Sequence, residues 1–198
     1  MSTQPVAPQS RLLTVAEYLE IGEVEPGYTE LAEGRLLMSP SGVWRHTRAL
    51  LKLWQALEAQ LPPDLATTTE IDVDLQLAPA EAPGTVRRPD VVVVRRDAVE
   101  RIDREGGILR ASDVVLAVEA VSPGSRRLDR VLKRTEYADA GIPHYWIVDL
   151  DEPVSLIALP LAGEFGAVTS GFGDGGAVTG VFRTTEPFPV EIDLDALL

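Results

Sequence analysis

The sequence predicts an α/β (α+β) fold in which helices flank a mixed β-sheet. Two short runs, residues 89–94 (PDVVVV) and 113–121 (DVVLAVEAV), consist mostly of Val, Leu and Ala and have no polar face. Such runs are typical of strands at the centre of a sheet. The predicted order along the chain is helix, hairpin, helix, three strands, helix and strand, which favours a layered packing of helices on a sheet.

The N-terminal part of the chain predicts two helices and a hairpin. TVAEYLEIG begins with Thr14, a helix-capping residue type, and continues with apolar residues at helical spacing. In residues 27–42, GYTELAEGRLLMSPSG, a Glu-Gly pair separates two short apolar stretches and indicates a hairpin. An amphipathic helix is predicted next, ending at the pair Pro62-Pro63. Its apolar residues recur at steps of three and four: Trp44, Leu50, Leu51, Trp54, Leu57 and Leu61.

The segments that follow predict strands and one further helix. Residues 67–79, TTTEIDVDLQLAP, alternate apolar and polar side chains and predict a half-buried strand ahead of the two central ones. SPGSRRLDRVLKRTEYADAG predicts a helix with Ser125 as its N-cap and Gly141 just after its C-terminus. IPHYWIVDL predicts the next strand. Beyond Asp151 we expect hairpins and, in DLDALL, a last helical turn.

The composition excludes several kinds of site. The chain has 198 residues, 45% hydrophobic and 25% charged, as in a soluble globular protein. No apolar run approaches the roughly 18 residues of a membrane span, so no membrane association is expected. Absence of cysteine excludes disulfides, thiolate catalysis and cysteine zinc sites, and fits a cytoplasmic location. With His46 and His144 as the two histidines, a metal site must be mostly oxygen-ligated, which favours Mg²⁺, Mn²⁺ or Ca²⁺.

The length suits one domain with a sizeable core. We expect residues 1–12, which are polar and contain two prolines, to form a flexible leader. Residues 13–198 are expected to form a single domain, with a core at about 28–150 and a β-rich extension at 151–198. A closed homo-oligomer, with a dimer favoured, fits the general behaviour of soluble proteins.

The charge distribution gives a mixed indication of partners. A net charge of −13 argues against nucleic acid. The segment from Arg87 to Arg134 nevertheless holds 12 of the 18 Lys and Arg residues and 8 acids, so it carries +4 and the remainder −17. This basic segment is compatible with phosphate binding, although a solvated surface or an intersubunit contact explains it more simply.

Two carboxylates in the central runs are candidates for chemistry. Asp90 follows Pro89, whose ring stiffens the chain where the strand begins, and an Asp there is either a turn-forming residue or a metal ligand. Glu119 interrupts an apolar strand, where an uncompensated charge costs several kcal/mol. It either pairs with an arginine, stays protonated, or binds a cation together with another carboxylate. Neighbouring strands lie about 5 Å apart, so Asp90 and Glu119 would share one ion if their strands pair.

The helix after Glu119 carries a polar stripe. At roughly 100° per residue, one side holds the apolar set and the other side the stripe Arg126, Arg130, Lys133 and Tyr137. Periodicity alone favours solvent exposure of this stripe. The side opposite the stripe is mostly apolar and consists of Leu128, Leu132, Thr135 and Asp139, with Val131 and Ala138 beside them.

A Pro-Asp pair, a strand-borne Glu and a nearby Lys resemble the PD-(D/E)XK nuclease superfamily. More narrowly, the blocks LTVAEYL, YTELAEGRLLMSPSG, RRPDVVVV and VEAVSPGSRRLDRVLKRTEYADAGIPHYWIVD resemble, in this order, the bacterial Uma-type family of putative restriction endonucleases. The resemblance runs from about Leu13 to Asp151. It implies a restriction-endonuclease-like mixed sheet flanked by helices, with an N-terminal helix and hairpin.

The resemblance also implies a set of site residues. Asp90 and Glu119 match the superfamily's metal-binding acids, and Glu30 resembles the family's additional N-terminal acid. The superfamily usually places its lysine two residues after the second acid, where this chain has Val121. The matching residue is Lys133 on the next helix, and in that case the polar stripe faces the site instead of solvent. His46 is close to a recurrent family histidine.

The resemblance implies a metal-dependent endonuclease that would cleave DNA, with Mg²⁺ (or Mn²⁺) on Asp90, Glu119 and, directly or through water, Glu30. Lys133 would assist the attacking water. The nucleic-acid contacts expected for such an enzyme are Arg126, Arg127, Arg130, Tyr137 and His46. Two alternatives stay open at this stage: a nuclease-fold binding or regulatory module without turnover, and a structural protein in which an arginine neutralises Glu119.

Overall fold

The computed structural model describes residues 11–22, 28–39, 43–121, 128–162, 171–172 and 176–198. The α-helices in this part of the chain are α1 (Val15–Ile21), α2 (Trp44–Glu58), α3 (Arg96–Glu105) and α4 (Arg134–Asp139). The strands are β1 (Tyr28–Ala32), β2 (Arg35–Ser39), β3 (Leu65–Thr69), β4 (Val73–Asp74), β5 (Val86–Arg87), β6 (Val91–Arg95), β7 (Leu109–Arg110), β8 (Val114–Val121), β9 (His144–Asp149), β10 (Ser155–Ala162), β11 (Gly171–Phe172), β12 (Val178–Thr179), β13 (Val181–Thr184) and β14 (Val190–Asp193).

The strands form a large sheet, a smaller sheet and a ribbon. The larger sheet has seven strands in the order β11-β10-β9-β8-β6-β3, with β12 paired to β10. It is mixed, because β8 and β9 are parallel while β6 is antiparallel to both β3 and β8. The smaller sheet has the order β2-β1-β5-β4-β7, and β13 pairs with β14. The predicted class, a mixed sheet with flanking helices, is confirmed.

The two central runs are buried on both faces, as predicted. In β6, Val91 and Val93 pack into a cluster with α2, while Val92 and Val94 pack into a second cluster on the opposite face, with Tyr137 of α4. All four valines are at most 1% exposed. Each face of the sheet is therefore covered, and a polar group on β6 or β8 has little access to water.

The predicted N-terminal helix and hairpin are present. Thr14 caps α1, since its hydroxyl accepts a hydrogen bond from the Glu17 amide and the Glu17 carboxylate accepts one from the Thr14 amide. Strands β1 and β2 pair in register around a turn at Glu33-Gly34, where both residues have positive φ. The hairpin positions Glu30 in the smaller sheet.

Helix α2 is where expected, but its buried face differs from the predicted one. The residues that pack on the sheet are Ala49, Leu50, Leu53 and Leu57. Trp44 is 79% exposed and Leu51 53% exposed, so these two members of the predicted apolar pattern do not pack on the sheet. Leu53 lies in the middle of the buried face of α2, and it was not among the predicted apolar residues.

Two predictions about elements around β6 were wrong. The alternating segment 67–79 is not one strand: β3 ends at Thr69, Glu70 adopts a φ of +52°, and the chain enters the smaller sheet as β4. A left-handed residue breaks the alternation that a continuous strand requires. Helix α3 was omitted, because its sequence RDAVERIDRE is mostly charged and buries one residue, Ala98.

The C-terminal part adds to the core of the large sheet. Residues of the β13-β14 ribbon and of a short 3-10 helix, Asp195–Leu197, pack in the same cluster as α2. This cluster includes an edge-to-face contact of Trp146 with Phe182, whose ring centroids lie 5.1 Å apart. None of the helices within the described residues has the length and hydrophobicity of a membrane span.

Candidate active site

Asp90 and Glu119 lie at one edge of the large sheet, where β6 begins and β8 ends. The antiparallel register places Val91 opposite Val118. Continued by one residue, this register puts Asp90 opposite Glu119, and directly opposed residues point to the same face of a sheet. The predicted convergence of two acids remote in sequence therefore follows from the pairing of the central strands.

Asp90 is held at this edge by contacts on both of its carboxylate oxygens. Oδ2 accepts a hydrogen bond of 2.7 Å from the amide of Ala120, the residue after Glu119. Oδ1 lies 3.4 Å from Nε2 of His46 in the first turn of α2. The backbone carbonyl of Asp90 also accepts a hydrogen bond from the amide of Glu70, where β3 ends. The side chain is 19% exposed, so it is the part of the acidic pair nearest to solvent.

Glu119 is buried, with 3% of its surface exposed, and receives two side-chain hydrogen bonds on the same oxygen. Nζ of Lys133 lies 2.9 Å from Oε1 and the hydroxyl of Tyr137 lies 2.8 Å from it. The described partners of Glu119 thus include an ammonium group and a phenol. They supply the compensation that a carboxylate in an apolar strand requires.

The helix that carries these partners is not a regular α-helix. A π-helix, Leu128–Lys133, continues directly into α4. Its i→i+5 pattern changes the phase of the side chains, so a wheel at 100° per residue does not apply. Lys133 is 6% exposed and Tyr137 fully buried, whereas Val131 is 63% exposed. The expectation from periodicity alone, that the stripe faces solvent, is wrong for these two residues.

Glu30 comes from the smaller sheet and joins the same cluster. Its Oε1 lies 3.4 Å from Nζ of Lys133 and accepts a 3.0 Å hydrogen bond from the amide of Arg88. Its Oε2 accepts a 3.0 Å hydrogen bond from Nη1 of Arg87. Lys133 therefore lies between the carboxylates of Glu30 and Glu119.

Arg87 and Glu136 complete the cluster and were not predicted. Nε and Nη2 of Arg87 each donate a 2.7 Å hydrogen bond to the carboxylate of Glu136 on α4. Arg87 has no exposed surface. The sequence showed that Glu119 needs compensation, but a single Arg in a two-residue strand carries no pattern that identifies it as buried.

Burial and neighbouring charges shift the pKa values of two of these groups, Arg87 and Tyr137. Desolvation disfavours the charged guanidinium, but the hydrogen bonds to Glu136 and the charge of Glu30 outweigh it and raise the pKa of Arg87. Burial, and next the charge of Glu119, raise the pKa of Tyr137 well above its ordinary value. Arg87 is therefore a permanent cation, and Tyr137 remains a neutral hydrogen-bond donor at neutral pH.

A polar network on the other side of Glu30 fixes the hairpin. Arg88 donates to Asp72 at 2.8 Å, and its guanidinium carbon lies 5.0 Å from the centre of the Tyr28 ring. The hydroxyl of Tyr18 on α1 donates to the carbonyl of Thr29 at 2.8 Å. These contacts tie β1 to the segment that precedes Asp90.

The comparisons with known proteins identify the family of this chain. The Uma2 family, described as "Putative restriction endonuclease", matches residues 15–164, which is 150 of the 198 residues. The chain belongs to the Uma2 family. The resemblance seen in the sequence blocks is thereby confirmed, and a nuclease-like function is supported.

The fold of this Uma2-family chain is also found in a solved structure. A protein from Anabaena variabilis ATCC 29413, described as a putative nuclease belonging to DUF820, superposes with a TM-score of 0.66 at 16% sequence identity. The similarity covers 93% of this chain and 97% of that one. No curated protein matches the chain.

The other residues expected to contact nucleic acid differ in how far they are described and how far they are buried. Arg126 and Arg127 lie outside the described residues, and of Arg130 the backbone alone is described. Tyr137 has no exposed surface, and its contact with nucleic acid stays a prediction. His46 is near Asp90 at the edge of the site.

The donor set fits a cation held by two carboxylates better than one held by three. Asp90 and Glu119 present hard oxygen atoms at one edge of the sheet, and Mg²⁺ is commonly bound by one or two carboxylates together with waters. Glu30 has a cationic partner on each oxygen. Among the described residues, no group of three or more His, Cys, Asp or Glu is arranged to hold a metal ion.

Proposed function

We propose that this Uma2-family chain is a metal-dependent endonuclease that hydrolyses DNA phosphodiester bonds. The observation that supports it best is the pairing of β6 with β8, which brings Asp90 beside Glu119 while Lys133 is bonded to Glu119. Two acids and a lysine at the end of a central strand pair form a site for a divalent cation next to a fixed positive charge.

In this proposal Asp90 and Glu119 hold Mg²⁺, or alternatively Mn²⁺. When bound, the ion would polarise a phosphate oxygen and lower the pKa of a coordinated water. The protein's own contribution is orientation. The Ala120 amide and His46 fix Asp90, and Tyr137 and Lys133 fix one oxygen of Glu119.

Lys133 is the proposed source of positive charge at the reacting phosphate. Its ammonium is buried, so its interaction with a phosphate is less screened than that of a surface lysine. Glu30 is a second carboxylate in contact with Lys133, at 3.4 Å, and we propose this positioning role for Glu30 in place of metal ligation.

DNA binding is assigned to the basic segment that precedes Lys133. Arg126, Arg127 and Arg130 are proposed to contact flanking phosphates, with His46 at the edge of the site. Phosphate contacts release counterions, so the affinity for DNA should fall steeply as the salt concentration rises. We propose no recognition sequence.

The test is Mg²⁺- or Mn²⁺-dependent nicking of a supercoiled plasmid by the purified protein. Asp90→Asn and Glu119→Gln should abolish nicking, and Lys133→Met should reduce its rate by about 10²–10³-fold. Asp113→Asn is the matched control, because Asp113 is a buried acid directly before β8 that pairs with Arg101, away from the site. Equal nicking by wild type and Asp90→Asn would refute the assigned site.

A second candidate function is nucleic-acid binding without turnover. Two observations favour it. Among the described residues there is no third carboxylate available to a metal, and Lys133 forms ion pairs with two acids, Glu30 and Glu119. Salt-dependent DNA affinity that is equal in wild type and Glu119→Gln, with no cleavage in either metal, would support this function over the first.

A further inference from the structure

Arg87 links three elements at the site. It belongs to β5 of the smaller sheet, its Nη1 bonds to Glu30 on β1, and its Nε and Nη2 bond to Glu136 on α4. Three hydrogen bonds from one guanidinium with no exposed surface define its position closely.

Glu136 and Lys133 are three residues apart, so the arginine acts on the segment that carries the lysine. Tyr137 follows Glu136 and is bonded to Glu119. The side chains of Lys133, Glu136 and Tyr137 all reach partners on the sheets, and those partners are Glu119, Glu30 and Arg87. Along this chain of contacts the charges alternate in sign, in the order Glu136, Arg87, Glu30, Lys133 and Glu119.

We propose that Arg87 and Glu136 are positioning residues that hold Lys133 between Glu30 and Glu119. Arg87 does so in two ways, since it fixes the Glu30 carboxylate that contacts Lys133 and it fastens α4 to the smaller sheet. This inference rests on the proposed function for its catalytic consequence, but the placement of Lys133 can be measured without any activity.

A planar guanidinium is required for this arrangement. The two 2.7 Å bonds to Glu136 are a fork that an ammonium or an amide cannot reproduce. Removing the guanidinium leaves Glu136 without its described cation and Glu30 with Lys133 as its described cation, and α4 is then less firmly held against the smaller sheet. A displacement of about 1 Å at a reacting group can lower a rate by about 10²-fold.

The first readout uses the two lysines of this chain, Lys52 and Lys133. Limited acetylation followed by mass spectrometry gives the modification rate of Lys133, and Lys52, which bonds to the Leu198 carbonyl on the far side of α2, is the internal reference. In wild type, Lys133 should react slowly because it is 6% exposed. In Arg87→Gln and Glu136→Gln the ratio of Lys133 to Lys52 modification should rise by about tenfold or more.

The matched control is Arg101→Gln. Arg101 is likewise an arginine paired with a buried acid, Asp113, although its own side chain is 21% exposed, and none of its described ion pairs or hydrogen bonds reaches the site cluster. This variant should lose stability without changing the Lys133 to Lys52 ratio. Glu136→Gln is the milder of the two test variants, so the proposal remains testable if Arg87→Gln fails to fold.

The second readout is the kinetics of nicking. For Glu136→Gln, kcat should fall by about tenfold or more while KM for DNA stays within about threefold, because Glu136 positions Lys133 and does not touch substrate. A folded Arg87→Gln or Glu136→Gln protein with an unchanged acetylation ratio would overturn the positioning role. A raised ratio with no cleavage by wild type would uphold the positioning role and refute the proposed nuclease function.

Discussion

At the scale of single residues, the site is a set of buried charges that compensate one another. Glu119 and Lys133 are 3% and 6% exposed and lie 2.9 Å apart. Neither would be stable alone in an apolar layer, since desolvation of one ion costs several kcal/mol. Each ion therefore makes the burial of the other possible. The hydrogen bond from the neutral hydroxyl of Tyr137 also stabilises the Glu119 carboxylate.

The hydrogen bond from Tyr137 can be removed with little change in shape. Tyr137→Phe should lower the free energy of unfolding by about 1.5–3 kcal/mol, because a buried bond to a charged group is lost. Urea denaturation with an unchanged m-value measures this. Tyr28→Phe is the comparison: its hydroxyl bonds to Glu70 at 3.3 Å in a half-buried position, and the loss should be below about 1 kcal/mol. A larger loss for Tyr28→Phe would contradict the prediction.

Asp90 and Glu119 could be identified as candidates from the sequence pattern and Lys133 from the family resemblance, while their partners could not be identified. An acid inside a run of valines is visible because it violates the apolar pattern. Arg87 and Glu136 have polar neighbours in the sequence, so neither of them interrupts an apolar run. Their burial results from the approach of the smaller sheet to α4, which is a long-range property that no local pattern encodes.

At the scale of elements, the helix from Leu128 to Asp139 carries three side chains of the site cluster, Lys133, Glu136 and Tyr137. Its π-helical start turns Lys133 inward, and its end is fixed by a Schellman motif. The Gly141 amide donates to the Ala138 carbonyl and the Ile142 amide donates to the Tyr137 carbonyl, both at 3.0 Å. Gly141 was predicted correctly as the terminating glycine, whereas the π-helix has no sequence signature and was missed.

Gly141→Ala tests this helix end. Gly141 has a φ of +74°, and a Cβ added there meets nothing within 4 Å, so the cost is backbone strain alone. We expect a loss of about 1–2 kcal/mol in the free energy of unfolding, measured by urea denaturation. Gly176→Ala is the matched control, since that glycine also has open space around it and is not in the left-handed region. Equal losses in both variants would contradict the role of φ.

At the scale of the whole molecule, the site exists because two sheets and one helix meet. The large sheet supplies Glu119 and, where β6 begins, Asp90; the smaller sheet supplies Glu30 and Arg87, and the helix supplies Lys133. The central strand pair was predictable because β6 and β8 are apolar on both faces. The smaller sheet was not, because β4, β5 and β7 are two residues long and have no periodicity of their own.

This arrangement predicts that a divalent cation stabilises the folded state through Asp90 and Glu119. A ligand present at 100 times its Kd adds about 2.7 kcal/mol, which for a chain of this size corresponds to a rise in Tm of about 5–10 °C. Thermal denaturation of wild type in MgCl₂ or MnCl₂, against KCl of equal ionic strength, measures the shift. Glu119→Gln should lose it and Asp113→Asn should keep it, because Asp113 pairs with Arg101 away from the site. A shift of the same size in Glu119→Gln would mean that the ion binds elsewhere, and the assignment of the two carboxylates as its ligands would then be wrong.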